Sequence, residues 1–323
     1  MKKQIIPVVL MSLLLFALIP PTQTDAFSDV PNTAWYADAV NDLSGRGILH
    51  GDTDGNFKPL DNITRGQVSK VVARSLQLEA PKNSTIHFTD VLTTHEFSPY
   101  ISALANRKVI NGYPNGSFGI NDAMTRAQAA KILTLAFKLP IAEGSTPFQD
   151  LNTQSELYPY IQTLYAYGIT NGISTTEFGP NDYVNRASLA VFIQKIERIL
   201  QHDTQILSYN QLQAKKVNIR YEYESSKDLF VVSNNAEERQ IVLIPLKKGV
   251  STVLLEVTGT NGQIQLQKYK VTVRENAGKL QISTENTTEI EAATFTFTPA
   301  DFNFVPTKAK VTKADGSNTS TVE

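Results

Sequence analysis

Three arginines recur along the chain at nearly constant spacing: Arg65, Arg126 and Arg186, 61 and 60 residues apart. They lie in "ITRGQ" (63–67), "MTRAQ" (124–128) and "VNRAS" (184–188), where Thr64, Thr125 or Asn185 comes directly before the arginine. Threonine and asparagine there read as helix caps, which makes each arginine the first residue of a helix. A helix amino end carries partial positive charge and unpaired N–H groups, so it disfavours a cation and welcomes an anion. Something must repay each guanidinium. One reading is an anion site, in which free N–H groups and guanidinium together take a carboxylate. The other is an ion pair within the unit, since Asp61, Asp122 and Asp182 each lie four residues upstream. With five donors per guanidinium, both can hold at once.

The elements that position these arginines form three repeats. Phe27-Ser-Asp29-Val30, Phe88-Thr-Asp90-Val91 and Phe148-Gln-Asp150-Leu151 open the units, and Gly51, Gly112 and Gly172, then Phe57, Phe118 and Phe178, keep the same offsets. Recurrence at one period marks a supersecondary unit used three times. Each unit begins with a helical apolar stripe: Tyr36, Val40, Leu43; Phe97, Ile101, Leu104; Leu157, Ile161, Leu164. A glycine loop follows, ending in "DGNF" (54–57) or "NGSF" (115–118), which are tight-turn signals. The third unit has Thr175-Thr176 instead, so its turn must differ.

The second helix of each unit starts at the arginine. Thr64 with Gln67, and Thr125 with Gln128, have the spacing of a capping box. Asn185 can cap, but Ser188 is too short to reach back as glutamine does. Val68, Val71, Val72, then Ala129, Ile132, Leu133, then Leu189, Phe192, Ile193, Ile196 follow at helical spacing and read as core. Gly66 stands where the sister units have Ala127 and Ala187 and weakens its helix start by up to about 1 kcal/mol.

Beyond Gln201 the apolar period becomes two. "VNIRYEYE" alternates Val217, Ile219, Tyr221, Tyr223, and two strands flank the hairpin signal Thr260-Asn261-Gly262. With "LFVV" and "IVLIP", residues 208–274 read as a small antiparallel β-sandwich. Residues 275–323 read as a polar tail, and a further alternation at "TFTFT" (294–298) leaves it open between extra strands and a partly ordered arm.

Composition limits the functions available. The amino end pairs Lys2 and Lys3 with an apolar run from Ile5 to Ile19 and small-position residues Thr24 and Ala26. It reads as a secretory signal, residues 1–26, cleaved after Ala26. Cleavage takes two lysines and Asp25 from a net charge of −1 and leaves −2, which gives no footprint for nucleic acid. No later run is apolar enough for a membrane span. The chain has no cysteine, which excludes disulfides, thiolate metal sites and a cysteine nucleophile. His50, His87, His95 and His202 do not have metal-ligand spacing, and no nucleophile elbow, phosphate loop or dinucleotide fingerprint occurs. Glu237-Glu238 reads as solvated surface. Neither catalysis, a cofactor nor a metal is expected.

The repeated Phe-x-Asp-Val opening, the Gly-Ile-x-x-Gly of "GILHG", the turn leading to Phe and the Thr-Arg-Ala-Gln motif resemble the S-layer homology repeat. The resemblance covers residues 27–200, as units 27–82, 86–142 and 146–200. It implies a mainly α-helical pseudo-threefold trimer, in which each repeat gives one helix to a central three-helix bundle, followed here by the β-sandwich. It further implies noncovalent anchoring of an exported protein to Gram-positive-type cell walls through secondary cell-wall polysaccharide, often by a pyruvylated terminal sugar. The β part resembles Ig-like modules appended to such anchors, where an unknown surface protein could be its partner. Alternatives are a wall-associated hydrolase and a lattice-forming S-layer subunit.

A pyruvyl ketal carries a carboxylate, so the resemblance assigns one groove each to Arg65, Arg126 and Arg186. Trp35 lies thirty positions before Arg65, where the sister units carry Glu96 and Glu156. Its indole can serve as a sugar platform or pack on a neighbouring repeat. As a platform it should favour the first groove. Gly51, Gly112 and Gly172 permit a backbone turn or a close ligand approach. The missing turn and threonine cap put the third site most in question.

Overall fold

In the computed structural model of the chain, residues 27–79, 87–221, 228–288, 309–312 and 318–322 are described. The expected signal at 1–26, Tyr223 and the "TFTFT" alternation lie outside them.

Among the described residues six helices make up the repeats in three pairs: α1 (Ala37–Gly45) and α2 (Arg65–Ser75), α3 (Ser98–Asn106) and α4 (Arg126–Ala136), α5 (Tyr158–Ala166) and α6 (Arg186–Leu200). The second helices start where their caps dictate. The Thr64 hydroxyl accepts from the Gln67 N–H while the Gln67 side chain accepts from the Thr64 N–H, and Thr125 and Gln128 repeat the exchange. Asn185 accepts from the Ser188 N–H at 2.8 Å, half of the same device.

Closure is cyclic. Just before the arginines, Ile63 N–H donates to Val184, Val184 to Met124 and Met124 to Ile63, at 3.1, 2.9 and 3.1 Å. These three side chains are buried, and their backbones close a hydrogen-bonded ring on the pseudo-threefold axis. Around it each second helix packs on the first helix of the next repeat: α2 on α3, α4 on α5 and α6 on α1. Val72, Leu133 and Ile193 point into one continuous core with Val40, Leu104 and Leu164. In each repeat the opening phenylalanine stacks on the loop phenylalanine, with ring centroids 5.4, 5.3 and 5.7 Å apart.

The following part is an antiparallel two-sheet sandwich. One sheet has the order β1 (Gln205–Ser208), β4 (Gln240–Pro245), β3 (Phe230–Asn235); the other has β2 (Ala214–Tyr221), β5 (Gly249–Gly259), β6 (Ile264–Asn276), β7 (Lys279–Asn286). β5 and β6 meet at the Thr260-Asn261-Gly262 turn, where Gly262 has φ 82°. β7 falls within the stretch read as a polar tail with room for extra strands, and its "KLQIST" buries Leu280 and Ile282. β8 (Ala309–Thr312) and β9 (Asn318–Val322) form a separate antiparallel pair.

The unbroken apolar runs of β3 and β4 have a physical cause. Phe230, Val232, Ile241 and Leu243 face the inter-sheet core, while Val231, Val242 and Ile244 join the core of the helical repeats. A strand covered on both faces cannot alternate. Ser233 Oγ adds a hydrogen bond to the Ile141 carbonyl across this junction.

Candidate functional site

The arginines reach across repeats. Arg65 Nε donates to the Phe118 carbonyl at 2.8 Å, Arg126 Nε to Phe178 at 2.8 Å and Arg186 Nε to Phe57 at 2.8 Å. Each guanidinium lies over that same phenylalanine ring, 4.6, 4.7 and 4.5 Å from its centroid. The groove at Gly112 is thus built by Arg65, that at Gly172 by Arg126 and that at Gly51 by Arg186. Pairing with the aspartate of the same unit does not occur. The carboxylates nearest in field belong to the next repeat: Asp122 for Arg65, Asp182 for Arg126 and Asp61 for Arg186. Burial pushes all three guanidinium pKa values below their ordinary range.

The expected free N–H groups are not free either. Arg65 and Gly66 N–H donate to the carbonyls of Asp122 and Ile120, Arg126 and Ala127 to Asp182 and Pro180, and Arg186 and Ala187 to Asp61 and Pro59. The caps take the third position. Repeat closure therefore consumes the helix-end donors, and any anion held here must be met by side chains.

Gly51, Gly112 and Gly172 resolve as packing positions. A Cβ at Gly112 would lie 2.6 Å from both the Phe88 ring and the Ser117 carbonyl, and the other two meet Phe27 and Phe148 in the same way. Gly172 alone also has a left-handed φ, +81°. This is the altered turn expected of the third loop.

Trp35 is 65% exposed, and its ring stands edge-on to Tyr36. It does not lie beside the first groove as expected. It lines a cavity of 640 Å³ with Arg126, Gly172, Asp182, Tyr183 and Lys195. The reason is the cyclic order: α6 packs on α1, so the residue before α1 meets the third repeat. At the matching places Glu96 pairs with Lys70 at 2.7 Å and Glu156 with Lys131 at 3.3 Å.

Other contributors do not recur in all three units and so carried no signal in the register of matching positions. Tyr183 and Ile173 are unlike their counterparts in the sister units, as Trp35 is, while Lys195 has a basic counterpart in Arg74, which donates to the matching Gly47 carbonyl as Lys195 does to Gly168. Comparing the units for departures instead of agreements would have found them. The opening aspartates act on their own loops, and Asp90 accepts from the N–H groups of Phe118, Gly119 and Ile120. Burial alone would raise its pKa, but the three donors outweigh it and hold the carboxyl below its usual range. Asp29 and Asp150 clip their loops likewise.

The S-layer homology domain family matches the chain at residues 26–69, 87–130 and 147–190. The chain is 27% identical to an S-layer protein of Bacillus thuringiensis subsp. finitimus over 92% of its own length and 37% of that protein's. It is 35% identical to an uncharacterized cell wall amidase of Bacillus anthracis over 56% of the chain and 34% of that protein. It is 33% identical to a cellulosome-anchoring protein of Acetivibrio thermocellus over 47% of the chain and 36% of that protein. The chain thus spans little more than a third of the length of these relatives. Among the described residues no helix is long and apolar enough to cross a membrane. The ring of three arginine-opened helices and these matches agree: the chain carries three tandem S-layer homology domains and is a secreted, cell-wall-associated protein.

Proposed function

We propose that residues 27–200 hold the protein noncovalently on the bacterial wall by binding secondary cell-wall polysaccharide through an anionic terminal sugar, a pyruvyl ketal being the fitting chemistry. The carrying observation is the set of half-buried to buried guanidinium groups that the fold fixes beside grooves, at two or more points each for Arg65 and Arg186. A fixed guanidinium matches a carboxylate in shape and charge. The role is binding and not catalysis, because the positions held in register through three repeats are packing, capping and groove residues. The β-sandwich is the displayed part, with a surface protein as its partner.

The test is co-sedimentation of the purified protein with cell-wall sacculi, before and after acid extraction of the secondary polysaccharide. Binding that disappears with the polysaccharide supports the reading; failure to sediment with untreated walls refutes it. Release of wall fragments by the protein would favour a hydrolase, the class named in the amidase relative.

A further inference from the structure

The three grooves differ in ways that the repeat itself conceals. In the groove at Gly112, Arg65 Nη2 is spent on the Asn111 carbonyl at 2.9 Å. The Tyr113 ring covers the guanidinium at 5.0 Å, and its hydroxyl donates to Asp122 at 2.9 Å. In the groove at Gly51, Arg186 Nη2 is spent on the His50 carbonyl at 2.7 Å. There three cations, Lys58, Lys70 and Arg186, face three carboxylates, Asp52, Asp61 and Glu96.

The groove at Gly172 is built otherwise. Arg126 is only 8% exposed, and its Nη2 is buried with no hydrogen-bond partner among the described residues. The carbonyl that would match Asn111 or His50 belongs to Asn171, next to the left-handed Gly172 that redirects this loop. Two cations, Arg126 and Lys195, face one carboxylate, Asp182. The Lys195 ammonium is steadied by the Gly168 and Ile169 carbonyls, at 2.9 and 3.2 Å. Three large apolar side chains rim the groove: Trp35, Ile173 and Tyr183, 65%, 54% and 55% exposed. A buried donor left unpaired is costly, and an incoming carboxylate removes that cost. Exposed aromatic faces beside it suit the C–H face of a sugar ring.

We infer that the groove formed by Arg126, Gly172, Lys195 and Trp35 is the principal carboxylate-sugar site, and that the other two grooves are secondary. This rests on the polysaccharide anchoring proposed above. Specificity then resides in the residues where the groove at Gly172 departs from its sisters: Trp35 in place of a Lys-paired glutamate, and a loop that leaves Arg126 Nη2 unspent.

Because Trp35 is the single tryptophan, its fluorescence reports on this groove alone. The full chain is titrated with the methyl glycoside of a pyruvylated hexose, with the pyruvyl methyl ester as control, and assayed for sacculus binding in parallel. The expected result is a saturable change in Trp35 emission with the acid and none with the ester. Trp35→Ala, which removes an exposed side chain and leaves the fold intact by circular dichroism, weakens sacculus binding at least tenfold, while Ile264→Ala, at an equally exposed apolar side chain of the β-sandwich, does not. Intact sacculus binding with unchanged emission and undiminished binding by Trp35→Ala overturns this inference and leaves wall anchoring standing. An equal response to the ester overturns the carboxylate assignment, and no binding of the unaltered chain to sacculi overturns anchoring and this site together.

Discussion

Arg65 and Arg126 occupy matching positions and are almost equally buried, at 6% and 8% exposure. Truncating either to alanine opens a similar cavity, so that cost cancels when the two are compared. Their hydrogen bonding does not cancel. Arg65→Ala loses two charge-assisted bonds, to the Phe118 and Asn111 carbonyls. Arg126→Ala loses one, to Phe178, and also removes an unsatisfied buried donor. At about 1.5–3 kcal/mol per bond to a charged group, Arg65→Ala should be the more destabilising by about 2 kcal/mol. For a unit of this size that separates the melting midpoints by about 4–8 °C. Urea titration of both variants, with scanning calorimetry as a second probe, reads the difference directly. Equal losses, within about 0.5 kcal/mol by the usual scatter of such comparisons, would refute the claim that the two guanidinium groups are differently satisfied.

Other expectations follow from the same contacts. Gly66→Ala should destabilise by about 1–3 kcal/mol despite better helix propensity, since a Cβ there meets the Phe97 ring and comes within 2.9 Å of the Ile120 carbonyl; chemical denaturation gives the sign. Thr64→Ala and Thr125→Ala should each cost about 1 kcal/mol by the same assay, since each opens a capping box. The Asp90 carboxyl has a depressed pKa when folded, so it contributes stability above the ordinary carboxylate range, and that contribution is lost as pH falls through the folded value. Asp90→Asn should therefore flatten the fall in stability below about pH 4 in an acid titration followed by circular dichroism, and an unchanged acid limb would contradict the clip.

Much of the architecture is legible in the sequence because it depends on short-range chemistry. Caps, tight turns and apolar spacing each involve residues within a few positions, so Thr64, Gln67, Leu104 and the Asn261-Gly262 hairpin declare their roles locally. Threefold recurrence then implies a closed unit, since one repeat cannot bury its own apolar face. The functional grooves are different, because every one is shared between repeats. Which aspartate an arginine faces, whether its helix-end N–H groups are free, and which groove Trp35 enters all depend on the cyclic order in which α2 meets α3, α4 meets α5 and α6 meets α1. No spacing within one unit encodes that order. The sequence by itself determined the repeat, its caps and the residues available for anion chemistry. Only the tertiary structure decided that the helix-end donors are consumed by repeat closure, and that one guanidinium of three keeps a buried donor unspent, because both facts rest on contacts between segments at least 46 residues apart.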